Sequence, residues 1–270
     1  MRLSGESSRA GHVAYLGQVW QKRAMYPTYP DLKGRTALVT GASSGIGRGI
    51  ALAFAGQGMR VAAQHRTQAA PEGCKGVQAE LGAEDGCVAA ARGAAQALGS
   101  VEVLVHSAGI YTAGPIDRIA APTLEEMFRV NTFSAFYLVR ELLPRGLRTV
   151  IFIGSTAGQR GEPGHSHYAA SKGALQSMMM SIAVELAPKV RVNLVSPGWV
   201  RTPMAEESLQ RIGPALRATI PNRRVAEVDD VVNAALYLAS DAASGHLIGQ
   251  DLCVSGGALL VVPRGQLQPT

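Results

Sequence analysis

Three side chains in the second half of the chain have the types and the spacing that proton transfer requires. Tyr168 and Lys172 stand four residues apart in a stretch with a helical pattern, so both would lie on one helix face. A phenol has a pKa of about 10 in water, and a neighbouring ammonium lowers that pKa toward neutrality, which suits proton transfer. Ser155 comes just after an earlier apolar run, and its hydroxyl could hydrogen-bond the substrate oxygen that exchanges a proton with the phenol. Because the same spacing occurs on ordinary exposed helices, the assignment depends on further motifs.

A glycine-rich turn lies near the start of the repeating part of the sequence. Residues 40–47 read Thr-Gly-Ala-Ser-Ser-Gly-Ile-Gly and stand between an apolar run and a helical pattern. Glycines at such a turn let the backbone approach a pyrophosphate, and the N–H groups of the helix N-terminus bind it. The alternative is a Gly/Ser turn with no ligand. The context favours a dinucleotide site formed by Gly41, Ser43, Ser44, Gly45, Ile46 and Gly47.

The end of the second apolar run predicts which dinucleotide is bound. It reads His65-Arg66-Thr67, with no carboxylate before Glu72. An acidic residue here would hold the ribose 2′-hydroxyl of NAD, whereas an arginine can bind the 2′-phosphate of NADP. Ser43 could add a hydroxyl. Although Arg66 could also be an ordinary solvated arginine, the sequence favours NADP(H).

Short apolar runs alternate with longer helical patterns from Arg35 onward. This alternation predicts a parallel sheet covered by helices on both faces, a doubly wound Rossmann-type α/β fold in one domain. The predicted strands are Arg35–Thr40, Arg60–Gln64, Cys74–Gln78, Val101–His106, Thr149–Ile153, Val190–Val195 and Gln250–Val254, all expected to be buried on both faces. The predicted helices are Ile46–Gln57, Ala83–Leu98, Leu124–Leu143, Ala169–Ala187 and Val228–Ala239.

With these motifs in order, residues 33 to about 257 resemble the short-chain dehydrogenase/reductase family, in its compact single-domain branch. The matching segments are 40–47, Asn131 in Val-Asn-Thr-Phe-Ser, Ser155 in Ile-Gly-Ser-Thr-Ala-Gly, Tyr168 with Lys172, Pro197-Gly198 followed by Thr202, and Val254-Ser255-Gly256-Gly257. The resemblance implies a seven-stranded parallel sheet and hydride transfer between a nicotinamide and a carbonyl or alcohol.

The resemblance also implies a role for each matching residue. Tyr168 would be the general acid/base, Ser155 would polarise the substrate oxygen, and Lys172 would hold the nicotinamide ribose and depress the pKa of Tyr168. Asn131 would hold a water that relays protons to Lys172. The remaining cofactor contacts implied are Glu80 at the adenine amino group, Leu81, Ser107, Ala108 and Gly109 beside the cofactor, and Pro197, Gly198, Val200 and Thr202 around the carboxamide and pyrophosphate.

One segment departs from the family pattern. The usual Asn-Asn-Ala-Gly reads His106-Ser107-Ala108-Gly109 here, so an imidazole replaces an amide that ties neighbouring strands together. The Ala-Gly pair still allows the backbone to pass close to a cofactor. His106 is expected to be structural, with a substitute hydrogen bond.

Composition excludes several other classes of protein. The apolar fraction of 47% supports a large core, and the net charge of +6 is thinly spread with only 5% aromatic residues, which argues against nucleic-acid binding. No apolar run is long enough to span a bilayer, so no membrane is expected. Three widely separated cysteines predict neither a disulfide framework nor a metal cluster and favour the cytoplasm.

The two ends of the chain fall outside the alternating pattern. Residues 1–31 are interpreted as an N-terminal extension, residues 32–257 as the catalytic domain, and residues 258–270 as a tail. The extension could be an arm packed on the body or on a partner subunit, a disordered tail, a stretch preceding a true start at Met25, or an Arg/Ser-rich targeting peptide.

The substrate is expected to be a small carbonyl compound or alcohol, bound by loops 110–116, 156–167 and 199–225. The leading interpretation is a carbonyl reductase of the 3-oxoacyl type; the alternatives are an alcohol or sugar dehydrogenase and a non-catalytic NADPH-binding regulator. A homotetramer or homodimer is expected from apolar residues on more than one helix face: Leu138, Leu142, Leu175, Met178, Met179, Met180 and Ile182.

Overall fold

The computed structural model describes residues 26–260. Their seven strands form one parallel sheet, as predicted; numbered along the chain, the strands stand in the order 3-2-1-4-5-6-7 across it. The strands are β1 (Thr36–Val39), β2 (Arg60–His65), β3 (Lys75–Gln78), β4 (Val103–His106), β5 (Thr149–Ile153), β6 (Arg191–Pro197) and β7 (Asp251–Val254). The predicted strand positions are confirmed, with ends that differ by about two residues or fewer.

Helices cover both faces of the sheet. They are α1 (Gly45–Gly56), α2 (Glu84–Leu98), α3 (Ala121–Phe128), α4 (Ser134–Leu142), α5 (Ala157–Arg160), α6 (Ser166–Leu186), α7 (Glu206–Thr219), α8 (Val228–Ala239) and α9 (Asp241–Ser244). One core lies between the sheet and α2, α4 and α6, and the other between the sheet and α1 and α8. The prediction of one doubly wound α/β domain is confirmed.

Three sequence predictions about local structure were wrong. The helix predicted for 124–143 begins earlier, at Ala121, and is interrupted by a π turn over Arg129–Phe133. The segment 199–225, predicted to be a loop, contains α7. Burial on both faces does not extend to the edges: β3 exposes every residue except Val77, and β7 is only partly buried. Each of these edge strands pairs with one neighbour only, so less of it is covered.

Residues 26–31 pack on the body of the domain. The backbone N–H of Tyr29 donates to Gln57 Oε1 at 2.9 Å, and Asp31 accepts a hydrogen bond from Ser240 Oγ at 2.8 Å. Tyr26 hydrogen-bonds Asp229. The rest of the predicted extension, and the tail beyond residue 260, lie outside the described residues. Within the described part, no helix combines the length and the apolar character that crossing a membrane requires.

Candidate active site

A cleft of about 440 Å³ opens at the carboxyl end of the strands, where the chain order reverses between β1 and β4. Ligands bind at this position in open α/β sheets because the loops diverge there. Most of the predicted site residues line the cleft: Gly41, Ser43, Ser44, Gly45, Ile46, Gly47, Arg66, Thr67, Glu80, Leu81, Ser107, Ala108, Gly109, Ser155, Tyr168, Lys172, Pro197, Gly198, Val200 and Thr202. His65 and Asn131 do not line it.

The glycine loop has the shape that a dinucleotide cradle needs. Gly41 has a φ of +62°, and a Cβ there would lie 2.9 Å from Ala108 Cα. A Cβ on Gly47 would lie 2.4 Å from the carbonyl oxygen of Gly41, so α1 packs directly against the loop. The Ser44 side chain makes no capping bond to α1. The first-turn N–H groups of α1 therefore face the cleft without a side-chain cap, which fits a pyrophosphate.

Two residues that were not among the predicted site residues hold this loop in place. The Thr40 hydroxyl accepts hydrogen bonds from the N–H groups of Ser107 and Ala108, both at 3.0 Å. Gln64 accepts from the N–H of Gly41 at 2.9 Å and donates to the carbonyl of Ala79 at 2.8 Å. The strand-end pattern could have revealed both, since each is a polar residue at the end of a buried strand.

Arg66 lies at the end of the cleft that follows β2 and β3. Its guanidinium is 3.7 Å from the Glu80 carboxylate, and both side chains are more than half exposed. Such an exposed ion pair is weak, so the guanidinium can turn toward a phosphate. Thr67 lines the cleft beside it, whereas the ring of His65 faces Gly76 on β3.

Ser155, Tyr168 and Lys172 converge where β5 ends. Helix α5 approaches α6 so closely that a Cβ on Gly158 would lie 2.6 Å from the backbone nitrogen of Gly173. The Ser155 hydroxyl hydrogen-bonds the Tyr168 phenol. The Lys172 ammonium donates to the carbonyl of Ile153 at 2.9 Å and lies 6.0 Å from the centre of the Tyr168 ring.

Burial dominates the electrostatics of this trio. It raises the pKa of Tyr168 above its ordinary value; the hydrogen bond from Ser155 opposes the shift and the Glu162 carboxylate adds to it. The spacing of Tyr168 and Lys172 predicts that Lys172 lowers this pKa. Instead the ammonium is directed at the Ile153 carbonyl, and burial lowers the pKa of Lys172 itself to about 8.

Asn131 lies behind the cleft in the π turn. Its amide nitrogen donates to the Ile110 carbonyl at 3.0 Å, and its oxygen accepts from the Ile110 N–H at 2.8 Å. A Cβ on Gly109 would lie 3.3 Å from this oxygen and 3.5 Å from Lys172 Nζ. Asn131 therefore fixes the backbone that passes beside Lys172. The water relay implied by the resemblance stays a prediction.

His106 makes the substitute hydrogen bond expected of it. Its Nε2 is 2.7 Å from Ser134 Oγ, and that hydroxyl itself donates to the Val130 carbonyl. Nε2 must therefore carry the proton of a neutral imidazole. The ring is fully buried, and burial together with the charge of Lys172 lowers the pKa of His106 to about 3.

The substrate end of the cleft combines aromatic and charged side chains. Tyr111 and Trp199 line it, and so do Arg160 and Glu162, which form an ion pair at 3.1 Å. Arg224 binds Asp230 with two hydrogen bonds of 2.5 and 2.8 Å, so its charge is already paired.

A glycine cradle, a phenol and a buried ammonium at one sheet edge are typical of a dinucleotide-dependent oxidoreductase, and comparison with known proteins agrees. The family model described as Enoyl-(Acyl carrier protein) reductase matches residues 41–258. L-Xylulose reductase from Bos taurus is 38% identical over 242 residues, 84% of this chain and 98% of that protein. The 3-oxoacyl-[acyl-carrier-protein] reductase MabA from Mycobacterium bovis is 34% identical over 233 residues, 84% and 94% respectively.

A solved structure gives the same result. A protein from Beutenbergia cavernae, assigned as an NAD(P)-dependent gluconate 5-dehydrogenase and solved with bound NADP, superposes with a TM-score of 0.78. It is 34% identical, and the match covers 85% of this chain and 98% of that one. The chain belongs to the short-chain dehydrogenase/reductase family and is an oxidoreductase that uses a nicotinamide cofactor.

Proposed function

We propose that this protein is an NADPH-dependent carbonyl reductase. The observation that carries the proposal is the convergence of Ser155, Tyr168 and Lys172 at one end of a cleft whose other end holds Arg66. NADPH supplies the hydride when it is bound. The Tyr168 phenol donates the proton to the carbonyl oxygen, the Ser155 hydroxyl orients that oxygen, and the Lys172 ammonium binds the cofactor ribose. Retention of all three side chains argues against a regulator without turnover.

The preference for NADPH over NADH is supported by the positive charge of Arg66 at one end of the cleft. Arg66, Thr67 and Ser43 would hold the 2′-phosphate, since all three line the cleft there. β2 ends without a carboxylate that would repel the phosphate. The acidic residue at this end, Glu80, follows β3 and already pairs with Arg66. NADP bound to the Beutenbergia relative is consistent with this choice.

Reduction, rather than oxidation, is supported by the protonation state of the acid. Burial holds the pKa of Tyr168 above its ordinary value, so the phenol keeps its proton at neutral pH and can give it to a developing alkoxide.

Two substrate classes fit the cleft, and we favour small polar ketones with hydroxyl groups. The Arg160–Glu162 ion pair can bond hydroxyl groups, while Tyr111 offers an aromatic face and a phenol. The L-xylulose reductase relative supports this class. The second candidate is a 3-oxoacyl thioester, favoured by the exposed Met204 at the cleft edge and by the MabA relative.

A paired cofactor and substrate screen tests the proposal. NADPH and NADH oxidation would be followed at 340 nm with ketoses, simple hydroxyketones and 3-oxoacyl thioesters. We expect NADPH turnover with a hydroxyketone to exceed that with the thioester. Equal kcat/KM with the two cofactors would contradict the choice of NADPH, and no turnover with any ketone would contradict the reductase.

We also propose that the protein forms a homodimer or homotetramer in the cytoplasm. Most of the residues predicted for an interface lie in the core instead: Leu138, Leu142, Leu175, Met178, Met179 and Ile182. Met180, also predicted, is exposed, and so are five further apolar residues of the 121–143 segment and α6: Leu124, Phe133, Phe136, Leu143 and Val184. Val184 is 79% exposed, and a second copy of this face would cover the set. Three free cysteines are consistent with a reducing compartment.

A further inference from the structure

Three contacts join the loop after β4 to the first turn of α6 and to the residues just before it. The ring of Tyr111 stacks on that of His165, with centroids 4.4 Å apart and planes inclined by 9°. Thr112 Oγ1 is 2.8 Å from His167 Nε2. The N–H of Gly114 donates to the carbonyl of Gly164 at 2.8 Å. The loop 110–115 is thus held at three points along its length.

These contacts place Tyr111 against the acid of the proposed reaction. Its ring meets the Tyr168 ring edge-on, with centroids 4.8 Å apart, and faces Trp199 at 6.4 Å. Tyr111 also lines the cleft. A carbonyl carbon bonded to the oxygen that Tyr168 protonates would therefore direct one of its substituents toward the Tyr111 ring.

His167 holds the loop through its hydrogen bond to Thr112 and takes no part in the proposed proton transfer. It precedes Tyr168 on α6, and it is 3% exposed. Burial and the neighbouring His165 lower the pKa of His167, so its imidazole stays neutral at physiological pH. A neutral, buried ring on a long helix gives the exposed Thr112 a fixed partner.

We propose that Tyr111 is a specificity-determining residue of the substrate end, and that His167, through Thr112, is the residue that positions it. The ring sets the size of the substituent on one side of the carbonyl. The Thr112–His167 hydrogen bond keeps the loop from moving that ring away. This inference rests on the proposed reductase function, which it deepens.

The first test changes the ring and compares two ketones that differ only in one substituent, a methyl group in one and a phenyl group in the other. Tyr111→Ala should raise the kcat/KM ratio of phenyl to methyl ketone about tenfold, because the space of the ring is opened. Tyr111→Phe keeps the ring and should leave the ratio within about twofold of the unaltered enzyme. An unchanged ratio in Tyr111→Ala, with NADPH affinity intact, would overturn the assignment of Tyr111.

The second test changes the hydrogen bond that positions the loop. Thr112→Val removes the hydroxyl without changing the shape, and should raise KM for both ketones by about threefold to tenfold with little change in kcat. Thr112→Ser restores the hydroxyl and should restore KM. If Thr112→Val and Thr112→Ser gave the same KM, the positioning role would be wrong.

NADPH turnover by the unaltered enzyme tests the proposed reductase function. The changes in the phenyl-to-methyl kcat/KM ratio and in KM test only the roles of Tyr111 and Thr112. NADPH affinity, measured by cofactor fluorescence, verifies that each variant has folded, because Tyr111 and Thr112 lie outside the glycine loop and the Arg66 end.

Discussion

The buried imidazole of His106 should make the protein lose stability in mild acid. Burial and Lys172 lower the pKa of His106 from 6.5 to about 3, so the folded chain does not bind a proton that the unfolded chain binds below pH 6.5. The stabilisation is complete above that pH and is lost as the pH falls toward 3. A pH of 5 is about 1.5 units below the pKa of the unfolded imidazole. At about 1.4 kcal/mol per unit, this difference lowers the free energy of unfolding by about 2 kcal/mol.

Urea denaturation at pH 7, 6 and 5, at one protein concentration, measures this loss. The matched variant is His106→Gln, whose amide can donate to Ser134 but does not ionise. Between pH 7 and pH 5, the free energy of unfolding should fall by about 2 kcal/mol more in the unaltered protein than in the variant. His106→Asn should show the same reduced dependence even if its overall stability differs. Equal losses in all three proteins would refute the reasoning, as would an NMR signal of His106 that titrates near pH 6.5 in the folded state.

Four further predictions concern the site and the assembly. Tyr168→Phe should bind NADPH normally but lose turnover by at least about 10²–10⁴-fold, measured in single-turnover experiments, whereas retained activity would remove Tyr168 as the acid. NADPH affinity should weaken above pH 8, because the Lys172 ammonium, with a pKa of about 8, loses its charge there; Lys172→Met should bind NADPH weakly and with no such pH dependence. Arg66→Asp should reverse the preference from NADPH to NADH in steady-state kinetics, and unchanged NADPH affinity would contradict the phosphate contact. Light scattering at micromolar concentration should give a dimer or tetramer mass that falls in Val184→Arg, and a monomeric mass for the unaltered protein would exclude the assembly.

The sheet could be predicted from the sequence because each strand is a short apolar run bounded by turn residues. Thr149–Ile153 is buried at every position and was predicted to the residue. The glycine loop and the Tyr168–Lys172 spacing are local signals, so the cleft residues near them were also predictable.

Features that depend on tertiary contacts could not be predicted. Helix α7 contains Gly213 and Pro214, which normally argue against a helix interior, and it packs on the domain through the buried side chain of Leu209. The segment around Asn131 has a continuous helical pattern in the sequence, which does not reveal the π turn, and the bonds of Asn131 to Ile110 form only in the folded chain. The direction of the Tyr168 pKa shift depends on how deeply the phenol is buried, which no spacing reveals.

The two lowered pKa values on the buried side of the cleft are physically linked. Lys172 and His106 occupy the same apolar interior, where burial disfavours a charge on either one, and each charge would repel the other. The Ile153 carbonyl is directed at Lys172, so the ammonium is the charge that this interior stabilises. His106 fits here because Ser134 holds its neutral tautomer. The imidazole that replaces the usual amide therefore leaves the proposed chemistry intact at neutral pH. In acid, the same imidazole lowers the free energy of unfolding.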